Sequence, residues 1–372
     1  VQTALEGGRR SHEETHVMRR SVAVAALMAA GWLGAPPVAE AQSAILNLPR
    51  VSQHARFTQR IGITDITIDY HRPLVGGRKI FGGLHAYGQV WRAGANDNTT
   101  IEFSDPVSVD GQLLPKGRYG LHMIPGEVSW VVIFSKNSTS WGSFTYDQAE
   151  DALRVTVKPL TIENHETLSY DIDDPTPTTA VITMRWERVA VPFTVVVDTP
   201  QLVAESLRNQ LRGRAQFEWQ PWMEAANYLL ANHLSAEDAA RDADQSIAVE
   251  DRFENEITRS TALTALGRTT EARAARDKAI ALGDQSQVHT FARGLQAQAR
   301  QDEALELFRV NIQKNPTSWV AHNEAARLAV ARGDFATAVK EMQLALSLSP
   351  ESLKAQHVDL VRRLQDHEDI NK

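Results

Sequence analysis

The sequence predicts a two-part molecule, an all-β antiparallel sandwich of jelly-roll-like type followed by an all-α array of helical hairpins. Two observations predict it. Between about residues 66 and 197, apolar side chains alternate with polar ones at period two and closely spaced turn residues interrupt them, as in half-buried strands. Beyond Pro200 the period lengthens to that of helices, and Pro316 precedes Pro350 by 34 residues, the mark of a repeated helical unit. The 372 residues, 42% hydrophobic and 23% charged, suffice for about two domains with cores of their own.

Ahead of both parts, the chain reads as processed sequence. Arg19 and Arg20 form a basic n-region, residues 21–33 an apolar h-region, and Ala39-Glu40-Ala41 a small-residue cleavage motif. Residues 18–41 are therefore expected to be a signal peptide with Gln42 as the first mature residue, which places the protein in the periplasm or outside the cell. The apolar run of about 13 residues falls short of the ~20 that a spanning helix needs and meets Pro36-Pro37, so no membrane insertion is expected after cleavage. Residues 1–17 are polar and read as an upstream extension before a true start at Met18. His12, Glu13 and His16 spell H-E-x-x-H, but that segment has no apolar face to hold a helix and no third zinc ligand.

The absence of cysteine excludes disulfides, thiolate metal sites and cysteine nucleophiles. A net charge of −7 gives no basic field of the kind that draws a protein to nucleic acid.

Strands are expected at residues 66–70, 101–103, 119–123, 130–134, 153–157, 167–172, 180–186 and 193–197. Between them, Asp110-Gly111 reads as a tight hairpin turn, and Pro115 through Gly117 and Pro125-Gly126 read as further turns. This part is expected to fill residues 42–198.

Within it, Tyr70-His71-Arg72-Pro73, Gly76-Gly77-Arg78-Lys79-Ile80-Phe81-Gly82-Gly83-Leu84 and Tyr87-Gly88-Gln89-Val90-Trp91-Arg92-Ala93-Gly94-Ala95-Asn96 resemble the bacterial family called domain of unknown function 2911. The resemblance continues through Thr99-Thr100, Lys116-Gly117-Arg118-Tyr119, Ile124-Pro125-Gly126, Trp130, Phe134 and Trp141-Gly142. It implies an exported β domain, often with a helical C-terminal extension, and no assigned activity.

The tract holds the candidate ligand-binding residues Tyr70, His71, Arg72, Arg78, Trp91, Arg92 and Asn96. On one reading its glycines let the backbone approach an anionic group, a carboxylate, phosphate or uronate, which the arginines bind bidentately. On the other, Arg72, Arg78 and Arg92 pair with Asp65, Asp69 or Asp97 around a long ordered loop. The histidines at 54, 71, 85, 122 and 165 show no metal-ligand spacing. His122 alternates with Leu121 and Met123 and reads as a solvent-side strand residue. Trp91, Trp130, Trp141 and Trp186 are expected in the core or at its rim.

Residues 77–83 lack the ending of a phosphate loop, no Gly-x-Ser-x-Gly elbow occurs, and His165-Glu166 is not followed by a second histidine at zinc spacing. Asp173-Asp174 before Pro175 reads as an exposed acidic turn. No catalytic residue, metal site or cofactor is assigned.

The second part is expected to begin with a linker helix over 199–217 and continue as a repeat array over 218–372. Its clearest unit, residues 322–350, has Gly333 between helices and then Ala338, Met342 and Pro350, and resembles a tetratricopeptide repeat. Ala272 and Ala304 are the equivalents of Ala338, Phe308 is that of Met342, and residues 217–249 read as a degenerate fourth unit. A small residue where two helices cross lets them approach, and a larger one a turn later fills the groove. Residues 352–367 are expected to cap the array with Leu353, Val358, Val361 and Leu364 inward.

The expected function is binding or scaffolding, with the array contacting a protein partner and the sandwich holding an anionic small ligand. The alternative is a periplasmic enzyme acting on an anionic or carbohydrate substrate, with His71 as acid or base and Arg72 and Arg92 stabilising charge, which requires those three side chains to converge.

Overall fold

The computed structural model describes residues 49–372. The leader at 18–41, the upstream residues 1–17 and the H-E-x-x-H motif at 12–16 lie outside the described residues. Ten strands come first, in chain order β1 (Gln53–Ile61), β2 (Thr64–Arg72), β3 (Thr100–Phe103), β4 (Val107–Val109), β5 (Gln112–Leu114), β6 (Gly117–Ile124), β7 (Trp130–Ser135), β8 (Asp151–Val157), β9 (Leu160–Asp173) and β10 (Thr179–Val196). They form a six-stranded sheet, ordered β1-β2-β3-β6-β7-β8, and a four-stranded sheet, ordered β5-β4-β10-β9. The chain leaves the larger sheet twice, for the β4–β5 and β9–β10 hairpins.

Alternation fixes which side chains meet between the sheets. Ile66, Ile68 and Tyr70 of β2, Leu121 and Met123 of β6, and Trp130, Val132 and Phe134 of β7 face Leu168 and Tyr170 of β9 and Ile182, Met184 and Trp186 of β10 in one continuous core. Asp110 (φ 44°) and Gly111 (φ 82°) make the two-residue β4–β5 turn, where both positions need the left-handed backbone. The two strands expected at 180–186 and 193–197 are one strand, β10. Pro192 between them does not break the strand, and a bulge at Glu187, with positive φ, keeps Val189 and Ala190 paired with Thr161 and Leu160 of β9. β1 escaped the sequence reading because it is an edge strand whose exposed and half-buried residues alternate; Ala55 and Phe57 pack against the core and Ile61, at its end, is buried in it.

Ten helices follow, α1 (Thr199–Gln210), α2 (Trp219–Ala231), α3 (Ala236–Val249), α4 (Phe253–Ala265), α5 (Thr269–Leu282), α6 (Gln285–Ala297), α7 (Gln301–Ile312), α8 (Trp319–Val330), α9 (Phe335–Leu348) and α10 (Glu351–Gln365). Asp198 caps α1 through its side chain and Pro200 sits in the first turn, so the chain turns directly from sheet to helix. The helices from α2 to α9 form four tetratricopeptide-like hairpins, α2–α3, α4–α5, α6–α7 and α8–α9. Ala272, Ala304 and Ala338 are buried in their second helices, and Phe308 and Met342 lie fully buried a turn later. Helix α10 caps the last hairpin with Leu360 and Leu364 buried and Val361 packed beside them. Val358, expected inward, is 55% exposed, because the buried stripe runs through His357 instead.

Adjacent hairpins pack through α3 against α4 and α7 against α8. The equivalent junction of α5 with α6 is the sparsest of the array, and a groove opens there.

Candidate functional site

The structure distributes the candidate residues of 70–96 over three environments. Tyr70 and Trp91 belong to the core. The Tyr70 ring meets Tyr170 edge-on at 4.9 Å, its hydroxyl accepts from the Tyr170 backbone N–H at 3.2 Å, and burial raises its pKa. Trp91 stacks on Trp186 at 5.6 Å and donates from Nε1 to the Gly94 carbonyl at 3.1 Å. Arg72 and Arg78 are held by backbone carbonyls: Arg72 Nε donates to Leu168 at 3.0 Å, and Arg78 Nε donates to Val75 at 2.9 Å. The carboxylates named beside them in the sequence are engaged elsewhere, Asp65 with Arg60 at 2.8 Å and Asp69 with His54 at 2.7 Å.

The glycine-rich stretch between these residues is stapled over one end of the sandwich. Gly76 N–H donates to Glu166 Oε1 at 2.8 Å, and the Glu187 carboxylate, turned by the β10 bulge, accepts from Ile80 N–H at 3.2 Å. Ile80 and Phe81 thereby enter the core. His85 lies against Trp91 at 4.7 Å, and burial first, then Arg92 and Arg78, push its pKa down to about 4.

His71, Arg92 and Asn96 form the third group. His71 points opposite to Tyr70 and Arg72, onto the outer face of the six-stranded sheet, where its ring lies 5.2 Å from that of His54 and its Nε2 3.7 Å from Asp97 Oδ2. Asn96 adopts positive φ in the loop just before Asp97. Arg92 is half-buried; burial lowers its pKa, Asp97 opposes that shift, and its Nε has no hydrogen-bond partner.

Sequence reasoning named His122 but not its burial, and passed over Asn98 beside it. His122 does point away from Leu121 and Met123, but it is 2% exposed rather than solvent-facing. Residues 137–146 cover it, with the Ser143 hydroxyl 2.9 Å from its Nδ1 and the Tyr146 ring at 5.4 Å. Burial pushes its pKa down to about 4, so the imidazole is neutral at pH 7. Asn98 is 9% exposed and donates to Asn137 O at 3.3 Å and Ser140 Oγ at 3.4 Å, while its Oδ1 has no partner. Gly120 makes room for both: a Cβ there would stand 2.8 Å from Asn98 Nδ2 and 3.2 Å from His122 Nε2. The sequence signal was Gly120 in the interior of a strand, which marks a close approach.

The second candidate is the groove of the helical array, a space of about 810 Å³ between α4–α5 and α6–α7. Ile257, Phe291 and Leu295 give it apolar surface, and Ser260, Thr261 and Thr264 line it along α4. Arg273, Arg276 and Arg300 line it with Glu303, whose carboxylate receives Arg276 NH1 at 2.7 Å and Arg300 through two bonds at 2.7 and 2.8 Å. Arg276 Nε is buried without a partner. A small-molecule site of this volume is ordinary, but its elongated helical walls suit a peptide segment.

Among the described residues no group of three or more histidine, aspartate or glutamate side chains is placed to hold a metal ion, and no helix is long and apolar enough to cross a membrane.

Fold and sites together define a two-part chain, a two-sheet antiparallel β domain joined to a tetratricopeptide-like array. Residues 52–195 match the family described as "Protein of unknown function (DUF2911)". No curated protein matches the chain. Among solved structures, a crystal structure of MamA is similar at 17% identity over 42% of this chain and 92% of that one, with a TM-score of 0.29. The structure of YrrB, described as a TPR protein with an unusual peptide-binding site, is similar at 16% identity over 43% of this chain and 84% of that one, with a TM-score of 0.26. The Cut9–Hcn1 hetero-tetramer of the APC/C is similar at 17% identity over 46% of this chain and 34% of that one, with a TM-score of 0.28.

Proposed function

We propose that the chain is an exported binding protein whose helical array grips an acidic segment of a protein partner, while its β domain holds an anionic small ligand. The observation behind the first half is the groove at the α5–α6 junction. Three arginines face one glutamate there, on a chain whose net charge is −7, and apolar surface lies beside them. Such a patch favours a partner that brings carboxylates, since Arg276 and Arg300 already share Glu303 and Arg273 adds a further cation at the rim. Export rests on the leader at 18–41, and the periplasm or the exterior is the compartment that follows from it.

Peptide selection on the full chain tests the groove. Displayed random peptides should enrich for acidic sequences containing an aromatic or aliphatic anchor, and Arg273→Glu should abolish that enrichment. Enrichment that ignores charge, or that survives the substitution, would remove the groove from the reading. Export is tested by weighing the product secreted or released from the periplasm, which should begin at Gln42.

The enzymatic alternative requires His71, Arg72 and Arg92 around one substrate. Arg72 is bonded to Leu168 on β9 while His71 faces the opposite side of β2, so the geometry favours binding over that constellation.

A further inference from the structure

The loop that covers His122 and Asn98 has two sides. Its serines point down: Ser140 Oγ accepts from Asn98 and Ser143 Oγ contacts His122. Two of its aromatics point out while Tyr146 packs on His122: Trp141 is 60% and Phe144 78% exposed, with ring planes 13° apart and centroids at 5.7 Å. Gly142 between them has φ 71°, and a Cβ there would lie 2.6 Å from Arg92 NH1, so the absence of a side chain is what lets the guanidinium lie under the loop. Arg92 Cζ stands 5.7 Å over the Trp141 ring. Two large apolar rings held open to solvent need an explanation, because the hidden serine contacts already anchor the loop without them.

We propose that this surface binds the pyranose ring of an acidic oligosaccharide, a uronate, with Trp141 and Phe144 as the stacking surface and Arg92 as the partner of the carboxylate. The proposal rests on the reading of the β domain as the ligand-holding half. Flat, exposed, parallel rings match the C–H face of a sugar, and the cation beside them selects a sugar that is charged. Asp97 opposes the fall of the Arg92 pKa, and its Oδ2 lies 3.7 Å from His71 Nε2. The unpartnered Arg92 Nε and Asn98 Oδ1, both buried beneath the loop, are polar groups that a small movement of 140–144 on ligand binding would bring into use. A protein partner fits less well, because two rings flanked by serines fall far short of the ~1,000 Å² that a stable protein interface needs.

The experiment titrates the full mature chain with oligogalacturonate, with neutral maltohexaose and with an acidic peptide, following tryptophan fluorescence and calorimetry. The expected result is saturable binding of oligogalacturonate, weakened at least tenfold by the double change Trp141→Ala, Phe144→Ala and by Arg92→Gln. Both rings are exposed, so the double variant should keep the melting temperature of the parent, and Arg273→Glu should bind the sugar normally. That last comparison separates failure here from failure of the helical groove. No saturable sugar binding, binding unaffected by the ring substitutions, equal binding of the neutral sugar with Arg92→Gln silent, or binding of the acidic peptide at these rings would each overturn the proposal.

Discussion

The Glu324 carboxyl is wholly buried in α8, with Oε1 3.0 Å from His289 Nδ1 and 2.8 Å from Asn311 Nδ2, and Oε2 without a partner. The distance to His289 would suit an ion pair, yet burial pushes Glu324 up to about 8 and His289 down to about 3, so at neutral pH both are uncharged. Arg327, itself buried and pushed down to about 9, is the nearby cation. The folded state then holds a proton on Glu324 that the unfolded chain releases above its ordinary value of 4.5, so stability falls as pH rises from 4.5 towards 8. Glu324→Gln should remove this loss: its melting temperature relative to the parent should climb across that window, by about 5 °C or more at pH 8. A constant difference from pH 4.5 to 8 would show that Glu324 is ionised when folded. Neither this carboxyl nor His122 was legible as buried. Alternation gives the side of a strand and periodicity the face of a helix, but what covers that side comes from distant chain, here residues 137–146 and the neighbouring helices.

At the scale of elements, the legible features were those whose cause is local. Asp110-Gly111 makes its turn because both residues accept positive φ, and Ala272, Ala304 and Ala338 mark helix crossings, where all three are buried. Ala338→Leu should therefore cost about 1–3 kcal/mol, read as a lower denaturant midpoint, because the added methylenes must displace fully buried neighbours such as Met342. An unchanged midpoint would mean that α8 and α9 are not closely packed at that point. Illegible elements had causes elsewhere. β1 is an edge strand, β10 continues through Pro192 and a bulge at Glu187, and the inward stripe of α10 passes through a histidine that composition counts as polar. In the candidate site the glycines at 120 and 142 carried a signal that the sequence reading did not use, and the expected carboxylate pairing of Arg72 and Arg78 is replaced by bonds to backbone carbonyls.

For the molecule as a whole, the sandwich meets the array through specific atoms. Thr199 Oγ1 donates to Pro177 O at 2.7 Å, a Cβ on Gly62 would lie 2.3 Å from Thr199 Oγ1, and Leu202 packs against the sandwich core. The array that follows is regular except at α5–α6, and a solenoid is expected to bind where its surface is concave and open. The central claim is that this junction receives an acidic partner segment. Its most direct test places a photo-crosslinking amino acid at Thr264, in the groove, and at Val358, exposed on α10, in cells that make the full chain. The account predicts one partner crosslinked from 264 through an acidic stretch identifiable by mass spectrometry, lost on Arg273→Glu and absent from 358. No crosslink at 264, or the same partner captured equally from both positions, would contradict it.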